Sequence, residues 1–212
     1  MDLSPEAARP PFFSPAPVQV RRAGPNDLDL VVDILADAFQ DDPVVLWLSD
    51  HPDFPGFNFR VVIEAFIADQ GILIDESGSA AALFLPPGKK MASLVSPVVA
   101  LKGLWHFGSG PLIRALRLLS VFEKHHYQAD HLYIFAIGNR PAVRGRGYGS
   151  AVMKAVLSLG GGAEYPTYLE NSKAANFAFY HKFGFESQTR LCLPQKGPDV
   201  TTMLRPAGHH WP

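Results

Sequence analysis

A chain of 212 residues, 47% hydrophobic and 18% charged, carries enough apolar material for one compact domain, or at most two small ones. Its formal net charge of −1 gives no global field to attract nucleic acid or an acidic membrane. Cys192 is the single cysteine, which excludes an intramolecular disulfide and suits a reducing, cytoplasmic setting.

Residues 1–17 are rich in proline and poor in periodicity, as a flexible arm is, and lack the basic and apolar regions of a secretory signal. Val18 to Arg22 alternates like a strand. Gly24-Pro25-Asn26-Asp27 then opens a helix with Leu28, Val31, Val32, Leu35 and Phe39 on one face and Asp29, Asp33 and Asp37 on a solvated one. The helix stops at Asp41-Asp42-Pro43, because the residue before proline avoids the α region. Val44 to Ser49 reads as a short helix or a loop with Trp47 in the core, and Asp50 to Pro55 as a loop. Phe57 to Gln70 reads as the next helix. Gly71 to Asp75 and Ala80 to Leu85 form a hairpin pattern about Glu76-Ser77-Gly78-Ser79.

Lys89 to Tyr127 suggests one or two helices, with a stripe of Leu112, Leu116, Leu119 and Phe122 and an interruption at Gly108-Ser109-Gly110-Pro111. The longest apolar region, Met91 to Phe107, is broken by Pro97 and Lys102 and is short for a membrane span. Past the middle of the chain, Tyr165 to Leu169, Phe185 to Leu193 and Val200 to Leu204 read as strands. Asn171 or Ser172 can cap a helix that runs to Phe183. Residues 206–212 form a polar tail, and its adjacent His209-His210 are not expected to hold a metal. The order is that of a mixed α/β domain of the α+β type, spanning 18–205.

The rest is organised around His131 to Leu159. Leu132 to Ile137 is an aromatic-rich apolar run, short for a helix and suited to a buried strand. Val152, Met153, Val156 and Leu157 share one face of a helix that ends at Gly160-Gly161-Gly162. Between strand and helix lies Arg144-Gly145-Arg146-Gly147-Tyr148-Gly149. Glycines there let backbone approach a ligand, and the first amides of a helix lack internal partners, so the stretch suits a phosphate. An ordinary strand-to-helix turn has the same spacing. The nucleotide-triphosphate loop is absent, and glycines at every second position are out of register for a dinucleotide fold. Downstream, Asn176 and Tyr180 are spaced to share a helix face.

Together the two stretches resemble the GNAT superfamily of CoA-dependent N-acetyltransferases. Arg144-x-x-Gly147-x-Gly149, preceded by Pro141, is similar to the family's Gln/Arg-x-x-Gly-x-Gly/Ala pyrophosphate turn. Asn176, Tyr180 and Gly184-Phe185 match its second signature. Arg144 stands where Gln is commoner, and Asn139 where an apolar residue is usual. Within the superfamily the chain looks most like the puromycin N-acetyltransferase-like group, on Ala38-Phe39, Asp42-Pro43 and Leu169-Glu170-x-Ser172. The resemblance implies a twisted, mostly antiparallel sheet of six or seven strands, flanked by helices and splayed at the central strand.

It also implies acetyl-CoA as co-substrate, with no metal. Amides of Gly145, Arg146, Gly147, Tyr148, Gly149 and Ser150 would hold the pyrophosphate, with Arg144 or Arg146 adding charge. Ile137, Gly138 and Asn139 would pair with the pantetheine arm, and Asn176 would bond it. The amine would attack the thioester directly while Tyr180 protonates the leaving thiolate. Candidate bases are Glu170, Glu123, His125 and His126, and Asp41 or Asp42 could hold a cationic acceptor; Cys192 is a poor nucleophile. The expected partner is a small-molecule amine, not nucleic acid or membrane, and the chain would be a monomer or homodimer. A protein or peptide acceptor, or a non-catalytic acyl-CoA sensor, are the alternatives.

Overall fold

The computed structural model describes residues 18–67, 71–89 and 97–208. The arm 1–17 and the His209-His210 pair lie outside the described residues. In chain order the elements are β1 (Val20–Arg22), α1 (Leu28–Phe39), α2 (Pro43–Leu48), α3 (Phe54–Ile67), β2 (Ile72–Asp75) and β3 (Ala80–Leu85). There follow α4 (Pro97–Phe107), α5 (Ser109–His125), β4 (Leu132–Asn139), α6 (Tyr148–Leu159), β5 (Thr167–Asn171), α7 (Phe177–Lys182), β6 (Glu186–Cys192) and β7 (Asp199–Arg205). The strands form one seven-stranded sheet in the order β1-β2-β3-β4-β5-β7-β6.

Both faces of the sheet are covered, which is why β3 reads as an unbroken apolar run. Ala81, Leu83 and Leu85 pack against Val31, Leu35, Phe59 and Phe66 of α1 and α3. Ala80, Ala82 and Phe84 point the other way, to Val152, Met153, Val156 and Leu157 of α6. Each such large side chain stabilises the fold by about 1.5–3 kcal/mol through burial.

Every strand pairing is antiparallel except β4 with β5, and that pairing is short: Leu132 with Thr167, Tyr133 with Tyr168. On its other edge β4 stays paired with β3 as far as Asn139 opposite Ala80. The central strands therefore splay, and among the described residues no strand lies beside the β5-facing edge of β4 from Ile134 to Asn139. A bulge accompanies the divergence: Leu83 pairs with Ala136 and Phe84 with Ile134, leaving Phe135 as the extra residue. At Gly138, a Cβ would lie 2.6 Å from that of Ala38, so a glycine here lets the end of α1 close on β4.

The elements depart from the sequence reading at several points. α3 starts at Phe54 rather than Phe57, with Pro55 in the first turn, where a missing N–H costs nothing. Gly108 alone, at φ +74°, separates α4 from α5, and Pro111 lies in the first turn of α5. Neither Asn171 nor Ser172 caps α7. Asn171 folds back on Lys173, and a 3-10 turn, Ala174–Asn176, leads into the helix.

Candidate active site

The turn between β4 and α6 is built from backbone. Gly145 and Gly147 have φ of +78° and +90°, a region costly for other residues. A Cβ on either would meet nothing within 4 Å, so both face open space. Among the described residues, the amides of Gly145, Gly147, Tyr148, Gly149 and Ser150 have no hydrogen-bond partner. The amide of Arg146 differs from its neighbours: it donates to the Val143 carbonyl at 3.2 Å. The Arg144 guanidinium leans toward Asp41, 3.6 Å away, and the Arg146 side chain is exposed. Five such amides at the positive end of α6 can hold an anion without help from a side chain.

Behind the turn, the splay opens a narrow cleft lined by Ile134, Ile137, Leu169, Glu170, Asn176 and Tyr180. Asn176 immediately precedes α7, and Tyr180 sits within it, so the helix delivers both to the cleft. Tyr180 is 8% exposed. Burial, and secondarily the charge of Asp42, push its phenol well above the usual tyrosine range, so it meets the cleft as a proton donor.

A larger cavity of about 1120 Å³ lies on the α1/α3 side of the sheet, under α2, α3, α4 and α5. Its walls are aromatic and aliphatic, with Phe54, Phe57, Phe107, Leu112 and Phe122 among them. Ring contacts set Phe107 edge-to-face on Phe54 at 5.3 Å and tilted against Phe57 at 5.0 Å. The Arg114 Nε, donating to the Leu48 carbonyl at 3.1 Å, ties α5 to α2. Cavity and cleft share Phe39, Asp42, Phe135, Ala136, Glu170 and Ser172, and so meet there.

Two buried carboxylates stand at that junction. Asp42 caps α2 through the amides of Val44 and Val45, at 2.9 and 3.2 Å, and its other oxygen accepts from the Ser172 hydroxyl. The Glu170 side chain is 5% exposed, and its Oε1 is buried without a hydrogen-bond partner. Burial foremost, then the charge of Glu170 and a hydrogen bond to its carboxylate, raises the phenols of Tyr133 and Tyr168. His126 Nδ1 lies 3.7 Å from the Glu170 Oε1.

The structure thus gathers Tyr180, Asn176, Glu170, Ile137, His126 and Asp42 from the residues singled out by sequence. It separates others. Asp41 pairs with Lys173 at 2.5 Å, and that contact holds its carboxyl below the usual range. His125 bonds the Val121 carbonyl at the end of α5, and Glu123 lines the cavity as an exposed residue. Cys192 lies on the outer strand β6, where its hydrogen bond to Asp199 raises its thiol. Among the described residues, no group of three or more His, Cys, Asp or Glu could hold a metal, and no helix is long and apolar enough to cross a membrane. Ser172, His131, Tyr133 and Tyr168 were not singled out by sequence as site groups. The two-residue period of a strand, which puts Tyr168, Glu170 and Ser172 on one face, is the signal that reaches two of them.

Residues 116–187 match the family described as the acetyltransferase (GNAT) domain. A curated relative, an uncharacterised N-acetyltransferase of Schizosaccharomyces pombe, is 24% identical over 85% of this chain and 79% of its own length. Among solved structures, a histone acetyltransferase HPA2 and related acetyltransferase of Corynebacterium glutamicum aligns with 22% identity and a TM-score of 0.62, over 91% of this chain and 98% of that one. The Drosophila melanogaster polyamine N-acetyltransferase, which forms N-acetylagmatine, aligns with 15% identity and a TM-score of 0.64, over 89% and 99%. Arylalkylamine N-acetyltransferase 2 of Aedes aegypti aligns with 11% identity and a TM-score of 0.59, over 89% and 98%.

Proposed function

We propose that this chain, an N-acetyltransferase carrying the GNAT domain and fold, transfers an acetyl group from acetyl-CoA to the primary amine of a small, largely apolar molecule. The observation that carries this reading is the junction: a narrow cleft and a largely aromatic cavity share lining residues beside Tyr180, Asp42 and the buried Glu170 carboxylate.

The five free amides of the β4–α6 turn fit a diphosphate, and the open edge of β4 about Ile137, Gly138 and Asn139 fits the amides of a pantetheine arm. Asn176 borders that arm's path. The acceptor's apolar body fits the Phe54, Phe57 and Phe107 wall, and its ammonium fits between Asp42 and Glu170. A cavity of this size holds a small molecule almost entirely, as ligand pockets do. The acceptor must lose a proton before it attacks, and Glu170 is positioned to take it. The neutral amine then displaces the thiolate from the thioester carbonyl, and the Tyr180 hydroxyl supplies the proton that lets the thiolate leave.

Incubation with acetyl-CoA and a panel of arylalkylamines, polyamines, aminonucleosides and peptides tests this, with free-thiol release and product mass spectrometry as readouts. Fastest acetylation of an apolar primary amine is expected. Faster turnover of peptides would transfer the activity to protein N-termini or lysines. Tight acetyl-CoA binding without acetylation of any amine would make the chain a sensor.

A further inference from the structure

From Ser77 to Phe122 the chain has no Asp or Glu, yet it holds the cations Lys89, Lys90, Lys102, Arg114 and Arg117. The net charge of −1 averages this stretch with an acidic remainder and so hides it. In the fold, the stretch ends in the pair α4 and α5, which walls the large cavity. α4 is apolar on more than one side. Val99, Ala100, Gly103 and Phe107 line the cavity. Val98, Leu101 and Trp105, spaced by three and four residues, form a separate stripe and are 63%, 67% and 82% exposed. A helix that is apolar all round is ordinarily buried all round. Here the protein covers one side and leaves the other bare.

We propose that this outer side of α4, with the cations of α5 beside it, docks on an anionic lipid bilayer. Lys102 lies in the exposed stripe, between Leu101 and Trp105 in sequence, and Arg117 and Lys124 are exposed on α5, which packs against α4. Among the described residues, none of these three cations makes an ion pair. Glu123, the single acid of α5, lines the cavity. Val98 and Leu101 bury at the boundary of headgroups and acyl chains, and the Trp105 ring sits at headgroup level. The Lys102 stem lies along the apolar stripe while its ammonium reaches the lipid phosphates, and Arg117 and Lys124 add attraction from α5.

The charge pattern selects this occupant. A second copy of the chain would set these cations against their own kind. A protein partner would have to bury Lys102 within an apolar patch, and lysine is depleted from such interface cores. A bilayer meets the ammonium and the apolar stem each at its own depth. The inner side of α4 walls the cavity, so a docked bilayer lies about one helix diameter, ~10 Å, from the space proposed for the acceptor. On the acetyltransferase reading this puts the site beside amines that partition into lipid; the docking itself stands without that reading.

The test is co-sedimentation of the full chain with vesicles of equal parts phosphatidylserine and phosphatidylcholine, and with vesicles of phosphatidylcholine alone. Binding to the first, weakened by added salt, and little to the second is expected, with a blue shift of tryptophan emission on binding. Leu101→Ser with Trp105→Ser should weaken binding at least about 10-fold, and Lys102→Gln about fivefold. The substituted side chains face solvent, so the unfolding midpoint and acetylation in lipid-free buffer should stay as they were. No binding to the anionic vesicles, or binding undiminished in the double variant, overturns the proposal. A lipid-free dimer that the double variant dissociates would assign the face to a second copy and overturn it too. So would tighter binding to polyglutamate than to the vesicles, lost in the same variant, which would assign the face to an acidic protein. Vesicle binding by a chain that acetylates no amine would uphold the docking and remove the functional reading.

Discussion

The two halves of the site are made of different material. The side proposed for the coenzyme is backbone: five amides, two glycines in the left-handed region and a strand edge laid open by the splay. The side proposed for the acceptor is side chain, gathered from α1, α2, α3, α4, α5, β4 and β5. Backbone donors look alike in every protein, so the first half suits a ligand common to a whole superfamily. Its requirement is conformational, and conformation is set by a few adjacent residues. The second half can be repacked without disturbing the first, which is how one fold takes many amines.

The largest expected effect comes where the halves meet. Tyr180→Phe should lower turnover by about 10²–10⁴-fold while calorimetry shows acetyl-CoA binding intact; unchanged turnover would take the phenol out of the reaction. Glu170→Gln should lower turnover by about 10²-fold; turnover equal to that of the unaltered chain would take the carboxylate out of the reaction.

On the coenzyme side, Gly147→Ala forces a Cβ into a left-handed conformation at about 1–2 kcal/mol, and should raise KM for acetyl-CoA several-fold while leaving selectivity among amines as it was. A changed order of amines would break the separation of the two halves. A smaller effect is on stability against pH. Burial lowers the folded-state affinity of His131 for a proton, so the unfolded chain protonates first as pH drops through about 6.5. Stability should therefore decline below that pH, and His131→Gln should flatten the decline in denaturant titrations. Least of all, Cys192→Ser should leave turnover and midpoint alone, since the thiol lies outside both halves.

The same division explains what could be read in advance. Leu132 to Ile137, the glycine turn and the Val152-Met153-Val156-Leu157 face are local patterns, and strand, turn and helix all occur where those patterns place them. The sheet, its strand count and its splay follow from the family resemblance that these patterns support. The Arg146 amide shows the limit: sequence marks a cradle but does not say which of its donors turns inward. The acceptor side was scarcely legible. Nothing in the spacing of His126, His131 and Glu170 says that they stand in line, because the contact depends on how a loop after α5 returns to a parallel strand. Asp41 and Asp42 are neighbours in sequence, yet one pairs with Lys173 at the surface and the other caps α2 inside the site.

A two-headed ligand, CoA joined through its sulfur and an acetyl bridge to an apolar primary amine, asks directly whether the halves form one site. Calorimetry should find it bound about 10²–10⁴-fold more tightly than CoA, because the second contact becomes intramolecular. An affinity no better than that of CoA alone would mean that cleft and cavity do not meet at Tyr180 and Glu170, and the proposed transfer would have no place to occur.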